Sequence, residues 1–257
     1  MYNTASLVSA AVARQNCVRD SVFGLTSRAP PEAKRARITP TPTTALGYGD
    51  AYRRLFGGAE FRVRTVTGVL DDALLRDIAA YLAAAEAQGL FEQSRGGSDE
   101  VDTRHRSSTS LALPLDLEVR IKARARDAFA PLPVSALETP LQVVRYAAGQ
   151  QFGLHHDSVD LADDDDTDEP EDGELPANVR MFTAFLYVNS VPVGGRTLFP
   201  VTGDAVRPVA NTAAVWPNLT ADGRRAERRA LHRGEAVPAG LKYGINLFYA
   251  RKPGVLM

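Results

Sequence analysis

Four short apolar runs after Pro140 constrain the fold of this chain more than any other feature. They are LQVVRY (141–146), MFTAFLYVNS (181–190), TAAVW (212–216) and INLFYA (245–250). Each is rich in β-branched or aromatic residues, and clusters of Gly, Pro and Asp separate them. Such runs form strands, because branched and aromatic side chains fit a pleated, half-buried surface. Two helical patterns precede them. In VLDDALLRDIAAYLAAAEAQG (69–89), Leu74, Leu75, Ile78 and Leu82 form one stripe. Asp71 or Asp72 is its N-cap and Gly89 closes it. In LDLEVRIKARARDAFA (115–130), Leu117, Ile121, Ala125 and Ala128 share a face and the arginines turn to water. Helices first and strands after imply a mainly β chain with flanking α. The helices pack outside a sandwich or jelly-roll barrel.

Length and charge bound the rest. A chain of 257 residues with 44% apolar residues suits one large domain, or a domain with an extension. Residues 1–60 show no sustained periodicity, and PEAKRARITPTPTTALGYG (31–49) is full of breakers. The reading is a flexible N-terminal extension over 1–60 and a folded domain over 61–257. The net charge of −1 conceals a concentrated acid run, with 10 acidic residues among the 15 from Asp160 to Glu174. Without that run, 21 acidic residues face 30 basic ones. A single cysteine, Cys17, forbids an intrachain disulfide and suits a reducing compartment. No stretch approaches the ~18 apolar residues of a membrane span, so no membrane partner is expected. SLVSAAVA at 6–13 makes a poor secretory signal. The basic PEAKRARITP resembles a nuclear-import motif, and the Arg-, Ser- and Ala-rich first 37 residues also fit a transit peptide. A cytoplasmic or nuclear location is expected, with a mitochondrial one as the alternative.

His155 and Asp157 carry the clearest chemistry. Two residues apart on an extended strand, they point to one face, whereas His156 points away. A third ligand must come from elsewhere in the β region, and His232 in ALHRGEAV is the one histidine further downstream. Two imidazoles and one carboxylate with open positions suit non-haem Fe(II) in oxygenase chemistry. The open positions would take a bidentate co-substrate and O2.

Three motifs in order then resemble the prolyl 4-hydroxylase family of Fe(II)/2-oxoglutarate-dependent dioxygenases. The first is Tyr146-x-x-Gly149-Gln150-x-Phe152-x-x-His155-x-Asp157. The second is RMFTAFLYVNSVPVGGRTLFP (180–200). The third runs from AAVWPNL to GINLFYA (213–250), with Lys242 ten residues after His232. The resemblance spans roughly residues 65–255 and implies a double-stranded β-helix (jelly-roll) core. It implies that His155, Asp157 and His232 are the catalytic iron ligands. Lys242 and Tyr146 would bind the distal carboxylate of 2-oxoglutarate, and Thr183 would add a hydroxyl. Phe185 and Tyr187 share the parity of Thr183 and are its pocket neighbours. Phe248 would line the substrate side. The implied reaction hydroxylates a prolyl residue in a peptide or protein, with 2-oxoglutarate decarboxylated to succinate and ascorbate rescuing stalled iron. Three positions depart from the family pattern: Arg196 replaces a glutamate, and Tyr243 and Phe248 stand where tryptophan is common. The metal set is intact, so these departures bear on substrate preference.

The resemblance implies that the connection carrying the acid run is a loop near the substrate entrance, and its charge would draw in a basic, proline-containing peptide. It argues against nucleic acid, whose phosphates it would repel. A calcium loop does not fit, because Glu169 and Leu175 occupy its sixth and twelfth positions. Other readings stay open at this stage. The same chemistry could act on a lysyl side chain, a free amino acid or an alkylated nucleobase. A non-catalytic jelly-roll binding module, or a hydrolase or isomerase on a cupin-like barrel, would keep the fold and change the function.

Overall fold

The computed structural model describes residues 47–94, 102–158 and 178–252, all within one compact unit, Leu46–Met257. The acid run, Cys17 and the two targeting-like segments lie outside the described residues. Three helices precede the main strand region: α1 (Tyr48–Phe56), α2 (Asp72–Ala87) and α3 (Leu115–Ala128). The early strands are β1 (Arg64–Thr67), β2 (Glu92–Gln93), β3 (Thr109–Ala112), β4 (Gln142–Tyr146) and β5 (Phe152–His155). The later ones are β6 (Arg180–Tyr187), β7 (Thr197–Phe199), β8 (Asp204–Val206), β9 (Thr212–Pro217), β10 (His232–Gly234) and β11 (Lys242–Ala250). The four predicted apolar runs became β4, β6, β9 and β11.

These strands form a seven-stranded sheet, β1-β9-β6-β11-β4-β3-β2, and a four-stranded sheet, β5-β10-β7-β8. Every pairing among the described strands is antiparallel. The architecture is the expected jelly-roll with helices outside. Strand β6, central in the large sheet, is buried on both faces, which explains why it reads as a continuous apolar run rather than an alternating one. Phe182, Ala184 and Leu186 of β6 pack in one cluster with Leu74, Ile78 and Leu82 of α2 and Leu117 and Ile121 of α3. Phe185 and Tyr187, of opposite parity, pack with Trp216 of β9 and Phe199 of β7 in the small sheet. The second cluster therefore lies between the sheets, where the site is built. Asp71 caps α2 by accepting from Leu74 N at 2.8 Å, and Gly89 follows the helix at φ 64°.

The assignment of residues up to 60 to an extension is corrected. Helix α1 falls inside that stretch, and Tyr48, Ala51, Tyr52, Leu55 and Phe56 are all buried. The Tyr48 ring stacks on Phe182 at 4.9 Å, and its hydroxyl donates to Leu219 O at 2.9 Å. Those spacings are a helical stripe, but nine residues beside a glycine- and proline-rich segment carry too few turns to stand out. The helix is stabilised by the core it completes. Tyr48→Ala is expected to cost about 3–5 kcal/mol in chemical denaturation. A chain beginning at Phe61 should lose the cooperative transition that one beginning at Leu46 keeps.

Candidate active site

Strand pairing brings the two ligand histidines together. His155 ends β5 and His232 begins β10, and the two are direct cross-strand partners. Their ring centroids lie 4.2 Å apart. Each Nδ1 faces a backbone carbonyl two residues earlier, His155 to Gly153 O at 2.8 Å and His232 to Ala230 O at 2.9 Å. A carbonyl accepts only, so each Nδ1 holds the proton and each Nε2 presents a lone pair. Gly153 gives His105 room as well: a Cβ there would lie 2.6 Å from the His105 ring.

Asp157 sits just past the end of β5 rather than within it, and is buried. Its Oδ1 is 3.6 Å from His155 Nε2 and its Oδ2 is 3.8 Å from His232 Nε2. One ligand atom from each of the three residues can be chosen so that all lie within 4.8 Å of one another. Adjacent ligands ~2.1 Å from one ion lie about 3 Å apart, so each group closes on an ion by moving under about 1 Å. The site therefore fits a small first-row metal. Burial pushes His232 down to about 4, helped by His155 and opposed by Asp157, so its imidazole is neutral at pH 7. Burial alone would raise Asp157, but the two imidazoles and the Thr183 hydroxyl outweigh it and hold the carboxyl well below its usual range. Neutral imidazoles with an ionised carboxylate are the ligand forms of these groups. His156 points elsewhere, as expected, and its Nδ1 has no hydrogen-bond partner among the described residues.

Thr183 is placed differently from the expectation. Its Oγ1 donates to Asp157 Oδ2 at 2.8 Å and accepts from Asn218 Nδ2 at 2.9 Å. Its cross-strand partner is Phe248, six residues along β11 from Lys242, a distance of roughly 20 Å. Thr183 thus backs the carboxylate and cannot line the lysine end. Asn218 escaped the sequence reading. Its signal was parity: it follows Ala214 and Trp216, two inward residues of β9, at the same alternation.

Lys242 lies between the sheets among Tyr146, Phe185 and Tyr187. It is 1% exposed, and its Cα pairs with that of Tyr146 on β4. Its ammonium lies 4.9, 5.2 and 5.5 Å from the ring centroids of Tyr146, Phe185 and Tyr187. No carboxylate forms an ion pair with it among the described residues. Burial pushes its pKa down to about 7, against the pull of Glu235. Two glycines make room for this cage. A Cβ on Gly244 would come within 2.1 Å of the Phe185 ring, and one on Gly195 within 3.4 Å of the Lys242 stem. The Tyr146 hydroxyl lies 3.7 Å from the position of a Cβ on Gly234, two residues along β10 from His232. Tyr146 therefore spans from the lysine toward the histidines.

Other side chains frame the site. The Phe152 ring stacks on His155 at 3.6 Å and meets the Arg106 guanidinium at 4.4 Å. Trp216, the sole tryptophan, stands edge-on to His232 at 4.8 Å. Phe248 lies under the Arg180 guanidinium at 3.9 Å, and Arg180 donates twice to Glu138 at 2.8 Å. The departures from the family pattern are satisfied locally. Arg196 makes a two-pronged ion pair with Glu235 at 2.8 and 2.7 Å, and the Tyr243 hydroxyl donates to Glu86 at 2.7 Å.

No family model matches the chain. Human prolyl 4-hydroxylase subunit alpha-1 is 39% identical over 92 residues, 36% of this chain and 16% of that subunit. The chain thus spans only a small part of that relative. Among solved structures, the 2-oxoglutarate complex of viral collagen prolyl hydroxylase from Paramecium bursaria Chlorella virus 1 aligns with a TM-score of 0.53. It is 21% identical and covers 72% of this chain and 94% of its own. The Trichoplax adhaerens prolyl hydroxylase, in complex with a hypoxia-inducible-factor oxygen degradation domain peptide, also aligns at 0.53. It is 12% identical and covers 79% of this chain and 89% of its own. In sequence over 92 residues and in fold over most of its length, the chain resembles the prolyl 4-hydroxylase family of Fe(II)/2-oxoglutarate-dependent dioxygenases.

Proposed function

We propose that this protein is an Fe(II)- and 2-oxoglutarate-dependent dioxygenase that hydroxylates a prolyl residue in a peptide or protein. One observation supports the reading: three metal-ligand side chains converge between the sheets, and the same interior holds the buried Lys242 ammonium, which has no ion-pair partner among the described residues. His155, Asp157 and His232 would hold the iron on one face. Iron with bound 2-oxoglutarate supplies the oxidant for C–H hydroxylation, with release of succinate and CO2, and ascorbate would restore spent iron.

The chain's own residues do the rest. A buried ammonium is costly unless an anion joins it, so the Lys242 pocket selects a carboxylate. Tyr146 would donate its phenolic hydrogen to the same carboxylate, since burial raises its pKa and keeps the proton in place. The aromatic walls exclude water from that end and strengthen each charge contact. On the substrate side, the Phe248 ring is held flat by Arg180. Similarity to proteins named as prolyl hydroxylases, one bound to a peptide, supports the proposed substrate class.

The test is anaerobic loading with Fe(II) and 2-oxoglutarate, then O2 exposure with a panel of proline peptides. A gain of one oxygen on proline with matching succinate is expected. Succinate with oxygen on lysine, or loss of a methyl from a nucleobase, would replace the substrate assignment. Absence of succinate with every substrate would end the enzymatic reading.

A further inference from the structure

We propose that Asn218 and Thr183 form a hydrogen-bonded relay that fixes the orientation of the Asp157 carboxylate in the metal site, and that Asn218 is a positioning residue for the reaction. This inference rests on the metal reading above. Its basis is the direction of two hydrogen bonds. Asn218 Nδ2 donates to Thr183 Oγ1 at 2.9 Å, and Thr183 Oγ1 lies 2.8 Å from Asp157 Oδ2. A hydroxyl has one hydrogen. With its oxygen already accepting from the amide, that hydrogen turns to the carboxylate. That bond holds Oδ2, 3.8 Å from His232 Nε2, and leaves Oδ1 3.6 Å from His155 Nε2, so both oxygens face the histidines in a fixed orientation.

All three relay residues are buried, Thr183 at 0% and Asn218 at 1% exposed, so water cannot substitute for a missing partner. Backbone bonds hold Asn218 in place: its N–H donates to Met181 O at 2.8 Å, and its carbonyl accepts from Glu227 N at 2.9 Å.

Asn218 Oδ1 has no hydrogen-bond partner among the described residues. That separates a positioning role from a merely structural one. If Asn218 only filled space, Asn218→Leu would be neutral or stabilising, since it also removes an unsatisfied buried acceptor.

The experiment uses the full chain with Co(II) as probe, followed by visible absorption and by quenching of Trp216 fluorescence. Thr183→Val and Asn218→Leu are expected to weaken Co(II) binding about 10–100-fold and to alter the absorption of the bound ion. The metal-free unfolding midpoint of Asn218→Leu should not fall, and Thr183→Ser should bind as the parent does. Should Thr183→Val not fold, Asn218→Leu decides alone. Parental affinity and an unchanged spectrum in the folded variants would overturn the relay and leave the metal site standing. A parent chain that binds no Co(II) would sink both.

Discussion

Asp157→Ala is expected to abolish metal binding and lower turnover by at least ~1,000-fold, a loss of about 4 kcal/mol of transition-state stabilisation. The carboxylate is the one negative charge between two imidazoles whose rings are 4.2 Å apart. Without it, two neutral nitrogens remain to compete with water for a dication. Metal-free stability should fall modestly at pH 7, because the surroundings favour the ionised carboxylate that the variant lacks. The discriminating readout is metal-dependent stabilisation. At a metal concentration 100 times its Kd the parent gains about 2.7 kcal/mol against unfolding, and the variant should gain none. A variant that is still stabilised by Fe(II) or Co(II) to the parental degree would refute the ligand assignment.

Lys242→Met should separate co-substrate binding from metal binding. We expect 2-oxoglutarate affinity to fall about 100-fold or more with Co(II) affinity unchanged, because the ammonium is the distal carboxylate's charge partner. The metal-free variant should also melt higher, by roughly 2–4 °C for each kcal/mol recovered, since a buried charge gives way to a thioether of similar length. The pH behaviour has a definite sign. Lys242 sits at about 7 in the folded chain, against ~10.4 unfolded. Between these values the unfolded chain binds the extra proton, so metal-free stability rises with pH across that window, and this contribution should vanish in Lys242→Met. Binding of 2-oxoglutarate requires the ammonium. Above pH 7 it must therefore take up a proton, and affinity should fall by at most tenfold per pH unit. Calorimetry in buffers of different ionisation enthalpy would detect that proton. A flat profile with no proton uptake would place the carboxylate elsewhere.

The metal triad was legible because its information is local. His155 and Asp157 are two apart, and His232 was the one histidine further downstream to join them. The strands declared themselves by composition, and α2 by its stripe and the Asp71 cap. Helix α1 was hidden because nine residues cannot form a stable helix alone. Its five buried side chains act only against a core assembled from β6 and the strands beside it.

The partner of a hydroxyl cannot be read from a sequence. Thr183 was expected beside Lys242 because both belong to one motif set. Antiparallel register instead placed it opposite Phe248, with Asp157 and Asn218 within reach. The same register paired Arg196 with Glu235 across β7 and β10, so the departure from the family pattern is neutralised within the protein. What the sequence by itself determined was which candidate ligand side chains are present and which segments are strands, since both depend on residue type and short spacing. Only the tertiary structure decided that Thr183 and Asn218 stand behind Asp157, and that Lys242 is buried with no ion-pair partner among the described residues. Those depend on which strands lie side by side and in what register, and a hydrogen bond reaches only ~3 Å.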